Sequence, residues 1–295
     1  MKSLFLLFAW FLSTLSLLAQ TPRVAFLGDS IMYGGRWPTL VESALRATPN
    51  FADANIVNFG LSSETVSGLS EPGHAGGKFA RPCLHERLDR ILTAFRPTHV
   101  LACYGMNDGI YLPLDDKRQQ AFQDGMRKLK IAVEKSGASF VAISAPLYSA
   151  DQSEKDPMNY DAVLDAQATW LTSQKDWQVI DIRPDLRAAI AKAKKANPAF
   201  VYAQDKVHPG AEGHDFIAAS VTRQLWRLWK LPDQPVMASG SSLDLLSQRN
   251  ALLKHAWLTE TKHLRPGVPK GLPLPEAESK AAEILQEYRK AKTAQ

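Results

Sequence analysis

The sequence predicts an α/β fold: a five-stranded parallel sheet covered by helices on both faces, with a helical hairpin appended at the C-terminus. Three observations predict it. Short apolar runs recur at residues 23–27, 55–59, 98–104, 139–145 and 177–182, each of strand length and several too continuously apolar to keep a solvated face. Helical patterns lie between these runs, and strands alternating with helices are the mark of crossover connections in a parallel sheet. The chain has 295 residues, of which 45% are apolar, enough to bury a core on each side of such a sheet.

Taken in order, the chain opens Met1-Lys2-Ser3 and is then almost wholly apolar from Leu4 to Ala19, with small residues before Gln20-Thr21-Pro22. A short basic start, an apolar core and a plausible cleavage zone read as a secretory signal peptide over residues 1–20. An uncleaved membrane anchor is the alternative, although no basic stop-transfer cluster follows.

The first strand runs Val24-Ala25-Phe26-Leu27 into Gly28-Asp29-Ser30. Ligands of doubly wound sheets sit at the carboxyl ends of the strands, so the Ser30 hydroxyl falls where a ligand would meet it; otherwise Ser30 only caps the next helix. The second strand ends Val57-Asn58-Phe59-Gly60, where glycine allows close backbone approach or merely a turn. The third ends Cys103-Tyr104-Gly105-Met106-Asn107-Asp108, where Asn107 can offer its amide to a developing oxyanion, or Asn107 or Asp108 can stabilise an Asx turn. Next comes the clearest helix, in which Phe122, Met126, Leu129 and Val133 repeat at helical spacing and Gly137 follows as a stop.

Beyond the fifth strand comes Gln204-Asp205-Lys206-Val207-His208-Pro209-Gly210. Proline favours the first helical position and keeps its predecessor out of helical geometry. That sets His208 at the mouth of the following helix, with Asp205 in the same loop and able to reach back to the imidazole. A base oriented by a carboxylate is what a serine nucleophile requires; a turn-capping Asp205 beside an incidental His208 is the plainer reading. From about residue 231 the chain becomes a polar linker, a helix over residues 243–262, a Pro/Gly-rich connection and a last helix. Pro275 lies in the first turn of that helix, and Ala281, Leu285 and Tyr288 make its apolar face. The predicted organisation is signal peptide 1–20, main domain 21–230 and helical extension 231–295, and the extension carries no recognisable chemistry.

The formal net charge of +5 comes from scattered Lys and Arg, so nothing points to a nucleic acid. An oxidising compartment would let Cys83 and Cys103 pair, yet Cys103 lies in an apolar strand and reads equally well as a buried thiol. His74, His85, His99, His214, His255 and His263 show no metal-ligand spacing, and neither metal nor organic cofactor is expected.

Gly28-Asp29-Ser30, Gly60 after its strand, Gly105-Met106-Asn107-Asp108 and Asp205-x-x-His208-Pro209 occur in the order of the four blocks of the GDSL or SGNH hydrolase family. The resemblance spans roughly residues 23–230, with Ile31 standing where the family name has leucine. It implies a three-layer α/β/α flavodoxin-like fold, Ser30 as nucleophile, His208 as base and Asp205 as its partner. The oxyanion hole would comprise the Ser30 and Gly60 N–H groups and the Asn107 side chain.

The resemblance allows carbohydrate O-acetyl esterases, short-chain esterases, lysophospholipases and thioesterases. Loops at residues 69–81 and 146–160, polar with a few aromatics, are the expected specificity determinants. With the export signal they favour a secreted or periplasmic enzyme acting on O-acetyl groups of carbohydrates, without stable membrane association once the signal is cut. An O-acetyltransferase of the same fold and a non-catalytic carbohydrate-binding protein are the rivals.

Overall fold

The computed structural model describes residues 21–148, 159–232 and 236–293. The expected signal segment at residues 1–20 therefore lies outside the described residues, as does most of the predicted loop at residues 146–160.

Five parallel strands form one sheet in the order β2-β1-β3-β4-β5, with β1 at Arg23–Gly28, β2 at Asn55–Asn58, β3 at His99–Cys103, β4 at Ser139–Ile143 and β5 at Gln178–Ile180. This is the flavodoxin-type doubly wound order. Four of the expected runs contain their strands, trimmed where the backbone leaves the ladder, while β1 extends one residue past its run to Gly28, which pairs with Cys103.

Alternate residues of β1 enter different cores. Val24 and Phe26 pack in one cluster with Trp37, Val41, Leu186, Ile217 and Val221. Ala25 and Leu27 pack in the other with Leu88, Ile91, Phe122, Met126 and Trp257. A period of two with both faces buried is why the strand reads as continuously apolar.

The first face is covered by α2 (Arg36–Arg46), α6 (Arg183–Ala196) and α7 (Ala211–Trp229), and the second chiefly by α3 (Leu88–Phe95) and α4 (Asp116–Lys135), while α5 (Tyr160–Ser173) gives side chains to both clusters. The α4 helix follows its sequence signals closely. Asp115 caps its start by accepting from the Arg118 N–H at 3.0 Å, its predicted stripe is wholly buried, and Gly137 follows with φ of +88°, the left-handed stop that glycine adopts without strain. By contrast α7 begins at Ala211 with Gly210 as its cap, so Pro209 precedes the helix instead of opening it.

The C-terminal hairpin consists of α8 (Gly240–Thr261) and α9 (Leu274–Thr293). Its first helix runs alongside β2, where Arg249 donates to the Ile56 carbonyl at 3.2 Å and to Glu42 at 2.7 Å. Ala281 and Tyr288 are buried on α9, while Leu285 is half-buried. Cys83 and Cys103 are both free thiols, the latter buried with its Sγ 3.6 Å from the Ser144 carbonyl. Among the described residues no helix is long and apolar enough to cross a membrane.

Candidate active site

The first strand hands over to a single helical turn, α1, at Ser30–Tyr33. Gly28 is required at the junction, because a Cβ there would stand 2.7 Å from the Met32 Cβ and 2.8 Å from the Cys103 carbonyl oxygen. Asp29 caps the turn, accepting the Ile31 N–H on Oδ1 at 2.9 Å. The capping role open to Ser30 on sequence grounds is thus filled by its neighbour, and the Ser30 hydroxyl is left for another partner. That partner is His208, whose Nε2 lies 2.7 Å from Ser30 Oγ across 178 residues of sequence. Burial pushes the Asp29 carboxyl up to about 7.

His208 is held by its own loop. Asp205 Oδ1 accepts the N–H groups of Val207 at 3.0 Å and His208 at 2.7 Å, while Oδ2 lies 2.6 Å from His208 Nδ1. Partial burial raises the Asp205 carboxyl, but these hydrogen bonds from His208 and Val207 outweigh it and hold the group below the usual carboxylate range. An ionised carboxylate only accepts, so Nδ1 carries the proton towards Asp205 and Nε2 is left to accept from the Ser30 hydroxyl. The arrangement can take a proton from Ser30 as its oxygen attacks an electrophile.

The other two expected residues leave the ends of the strands flanking β1. Gly60 is forced by packing, since a Cβ would meet the Tyr33 nitrogen at 2.5 Å and the Met32 carbonyl carbon at 2.8 Å. Its N–H is engaged by Asn58 Oδ1 at 2.8 Å, a contact not legible in the sequence. Asn58 in turn donates from Nδ2 to the Met32 carbonyl at 2.8 Å. Asn107 is buried with its amide oriented from both ends: Nδ2 donates to the Glu64 carbonyl at 3.1 Å, and Oδ1 accepts from Arg81 Nη1 at 2.9 Å and the Tyr111 hydroxyl at 3.1 Å. Asp108 makes no local Asx turn; its Oδ1 accepts from Val66 at 2.9 Å and Ser67 at 2.7 Å and pins the loop after β2.

A model of the GDSL-like lipase/acylhydrolase family matches residues 26–216. The chain belongs to that family. It is accordingly an enzyme of the carboxylic ester hydrolase class. No curated protein sequence is significantly similar to it. Solved structures with the same fold include an acetylxylan esterase from Geobacillus stearothermophilus, in the form of a catalytic mutant, at 19% identity and a TM-score of 0.51, covering 69% of this chain and 94% of that one. An alpha/beta hydrolase from the metagenome of Lake Arreo, Spain, matches at 18% identity and a TM-score of 0.52, over 70% and 96% of the two chains. A gut microbial diltiazem-metabolizing enzyme matches at 19% identity and a TM-score of 0.52 over 69% of this chain, which spans only 46% of that protein. The C-terminal hairpin of this GDSL-like hydrolase lies beyond the region that the family model matches.

Three charged residues of this GDSL-like hydrolase had no sequence signal. Arg81 bonds both Glu71 oxygens, at 2.6 and 2.7 Å, while holding Asn107. Arg87 and Glu64, both fully buried, pair at 2.7 and 2.8 Å, and the Tyr104 hydroxyl donates to Glu64 at 2.7 Å. Glu64 thereby fixes the carbonyl that receives the Asn107 amide. Tyr111, Tyr148 and Tyr160 form an aromatic cluster with ring centroids 4.9–5.8 Å apart. In the loop at residues 69–81, His74 packs edge-on against Phe79 at 5.2 Å, and Arg265 from the C-terminal extension lies 5.3 Å over the Phe79 ring.

Proposed function

We propose that this GDSL-like hydrolase is an exported serine esterase that removes small acyl groups, chiefly O-acetyl groups of carbohydrates. The single observation that carries the mechanism is the continuous line from Asp205 through His208 to the Ser30 hydroxyl, with contacts of 2.6 and 2.7 Å. Ser30 Oγ attacks the ester carbonyl while His208 Nε2 takes its proton. Collapse of the tetrahedral intermediate breaks the bond to the alkoxy oxygen, and His208 returns the proton to the leaving alcohol. Water, deprotonated by His208, then attacks the acyl-enzyme; the second tetrahedral intermediate collapses with cleavage of the acyl bond to Ser30 Oγ, which takes the proton back from His208 as the carboxylic acid leaves.

The oxyanion is received by the Ser30 and Gly60 N–H groups and the free hydrogen of the Asn107 amide. For Gly60 this means exchanging the neutral Asn58 oxygen for a charged acceptor, which forms the stronger hydrogen bond. The chemistry as written needs no metal or organic cofactor.

The side chains of His208 and Asp205 are 49% and 57% exposed. Water therefore has ready access to the acyl-enzyme, which favours hydrolysis over transfer to a second sugar. The substrate class rests on Tyr111 and Tyr148 and on the polar loop at residues 69–81, since aromatic faces beside hydrogen-bonding groups suit a sugar ring better than a long acyl chain. The apolar N-terminal twenty residues support secretion or delivery to the periplasm, with residues 21–230 as the hydrolase domain and 231–295 as its extension.

Turnover of p-nitrophenyl acetate by the wild type and Ser30→Ala, together with acetate release from a panel of acetylated sugars and polysaccharides, tests both parts. Ser30→Ala should lower kcat roughly 10⁴-fold or more. Equal rates would exclude the serine mechanism, and hydrolysis of the aryl ester without release from any acetylated sugar would exclude the carbohydrate assignment.

A further inference from the structure

We infer that Lys254, on helix α8 of the C-terminal hairpin, is a positioning residue for Ser30. The inference rests on the reading of Ser30 as the nucleophile and extends it to a part of the chain beyond the matched family region. The hydroxyl is carried by a helix of only four residues, and one turn gains too few hydrogen bonds to hold itself. Asp29 secures its beginning. Its end presents the carbonyls of Met32 and Tyr33, which need donors from elsewhere.

Met32 receives them from the Gly35 N–H at 3.0 Å and from Asn58 at 2.8 Å. Tyr33 receives its donor from Lys254, whose Nζ lies 2.5 Å from the carbonyl oxygen and 3.9 Å from the centroid of the Tyr33 ring. A cation at the carboxyl end of a helix also complements its dipole.

The neighbouring α8 residues act on the same unit. His255 Nε2 lies 3.0 Å from the Tyr33 hydroxyl. Asn250, one turn before Lys254, lies with its Oδ1 3.4 Å from Asn58 Nδ2, the side chain that holds both Met32 and Gly60.

Burying a lysine is costly unless its ammonium is well partnered. Lys254 is 6% exposed, burial pulls its pKa down to about 8, and among the described residues no carboxylate pairs with it. Its ammonium is spent on Tyr33, three residues after Ser30. A displacement of the nucleophile by about 1 Å can cost roughly 10²-fold in rate, so a turn whose last carbonyl has lost its donor, with only the Met32 carbonyl still held at that end, would leave the contact between Ser30 and His208 looser.

The test uses the full chain with Lys254→Met, Lys254→Gln, Lys254→Arg and the Ser30→Ala control. Two quantities are read per folded molecule, with folding monitored by near-ultraviolet circular dichroism: kcat and KM on p-nitrophenyl acetate, and the rate constant for labelling Ser30 with an alkyl fluorophosphonate. Lys254→Met should lower kcat and the labelling rate constant about 10- to 100-fold with KM changed less than about threefold. Lys254→Arg should restore most of the loss.

Lys254→Gln keeps an N–H donor without the charge; it should fall between the two and carries the test if the Met variant does not fold. A lowered melting temperature with wild-type kcat and labelling per folded molecule would overturn the inference while leaving the nucleophile in place. Labelling that is equal in the wild type and Ser30→Ala would overturn the nucleophile reading and this inference with it.

Discussion

Replacing Arg81 with Met perturbs the proposed oxyanion site one step away from the reacting atoms. Asn107 has four hydrogen-bonding positions, and three are filled: Arg81 and Tyr111 on Oδ1 at 2.9 and 3.1 Å, and the Glu64 carbonyl on Nδ2 at 3.1 Å. One amide hydrogen remains for the oxyanion, and its direction is set by the other three. Arg81 supplies the only charged contact of the set, and such hydrogen bonds contribute about 1.5–3 kcal/mol. Tyr111 survives the substitution, so orientation is weakened and not abolished.

The expected loss is on the order of 10- to 100-fold in kcat, or roughly 1.4–2.7 kcal/mol of barrier. Complete removal of the donor in Asn107→Ala sets the limit at about 10² to 10³. Steady-state kinetics on p-nitrophenyl acetate for Arg81→Met, Asn107→Ala and the double variant decide the matter. If Arg81 acts through Asn107, the double variant is no slower than Asn107→Ala alone. Penalties that simply add would refute the reasoning, because Arg81 would then act by another route.

Gly60→Ala would press a Cβ to 2.5 Å from the Tyr33 nitrogen and 2.8 Å from the Met32 carbonyl carbon, and backbone atoms can yield only if α1 moves. We expect kcat to fall about 10²-fold or more with the near-ultraviolet spectrum retained; a wild-type kcat would show that α1 has slack. Asp29 bears on stability through pH. Its carboxyl ionises near pH 4 in the unfolded chain but, desolvated in the fold, only at about 7. The folded state therefore loses stability as pH rises through that window, and below it the group is neutral in both states and contributes nothing. Asp29→Asn keeps an acceptor for the Ile31 N–H, so its advantage over the wild type should grow from pH 4 to pH 7 to on the order of 2–4 kcal/mol and then level off. Urea unfolding at the two ends of the window measures it, and a difference independent of pH would contradict the assignment.

The fold was legible because its determinants are local. Each strand is an apolar run of the right length, and the α4 helix announces its stripe and its stop. Around the candidate site, Ser30, Asn107, Asp205 and His208 could be proposed from the sequence because they follow strands or sit in one short loop. What holds them could not. Asp29 and Ser30 are both good caps by residue type, and the choice between them is made by packing around β1. Arg81, Glu64 and Arg87 reach partners 10 to 28 residues away, or in the case of the Glu64–Tyr104 contact 40 residues away, and no periodicity marks such pairs. The hairpin was opaque for a related reason. Helix α8 buries Arg249, Asn250 and Lys254 along with Leu243, Leu246, Leu253 and Leu258, so its pattern gives no clean division into inner and outer faces, and its partners lie 192 to 222 residues earlier.

The contact of Arg249 with the Ile56 carbonyl also bears on how the molecule behaves in company. As the outermost strand on its side of the sheet, β2 would otherwise present unsatisfied peptide groups to any passing chain, an open template for intermolecular pairing. Helix α8 occupies that flank, and the guanidinium takes one of its acceptors. Preparations shortened ahead of Gly240 should accordingly form sheet-rich aggregates at concentrations where the intact protein stays dispersed, and light scattering would register this before any melting experiment did.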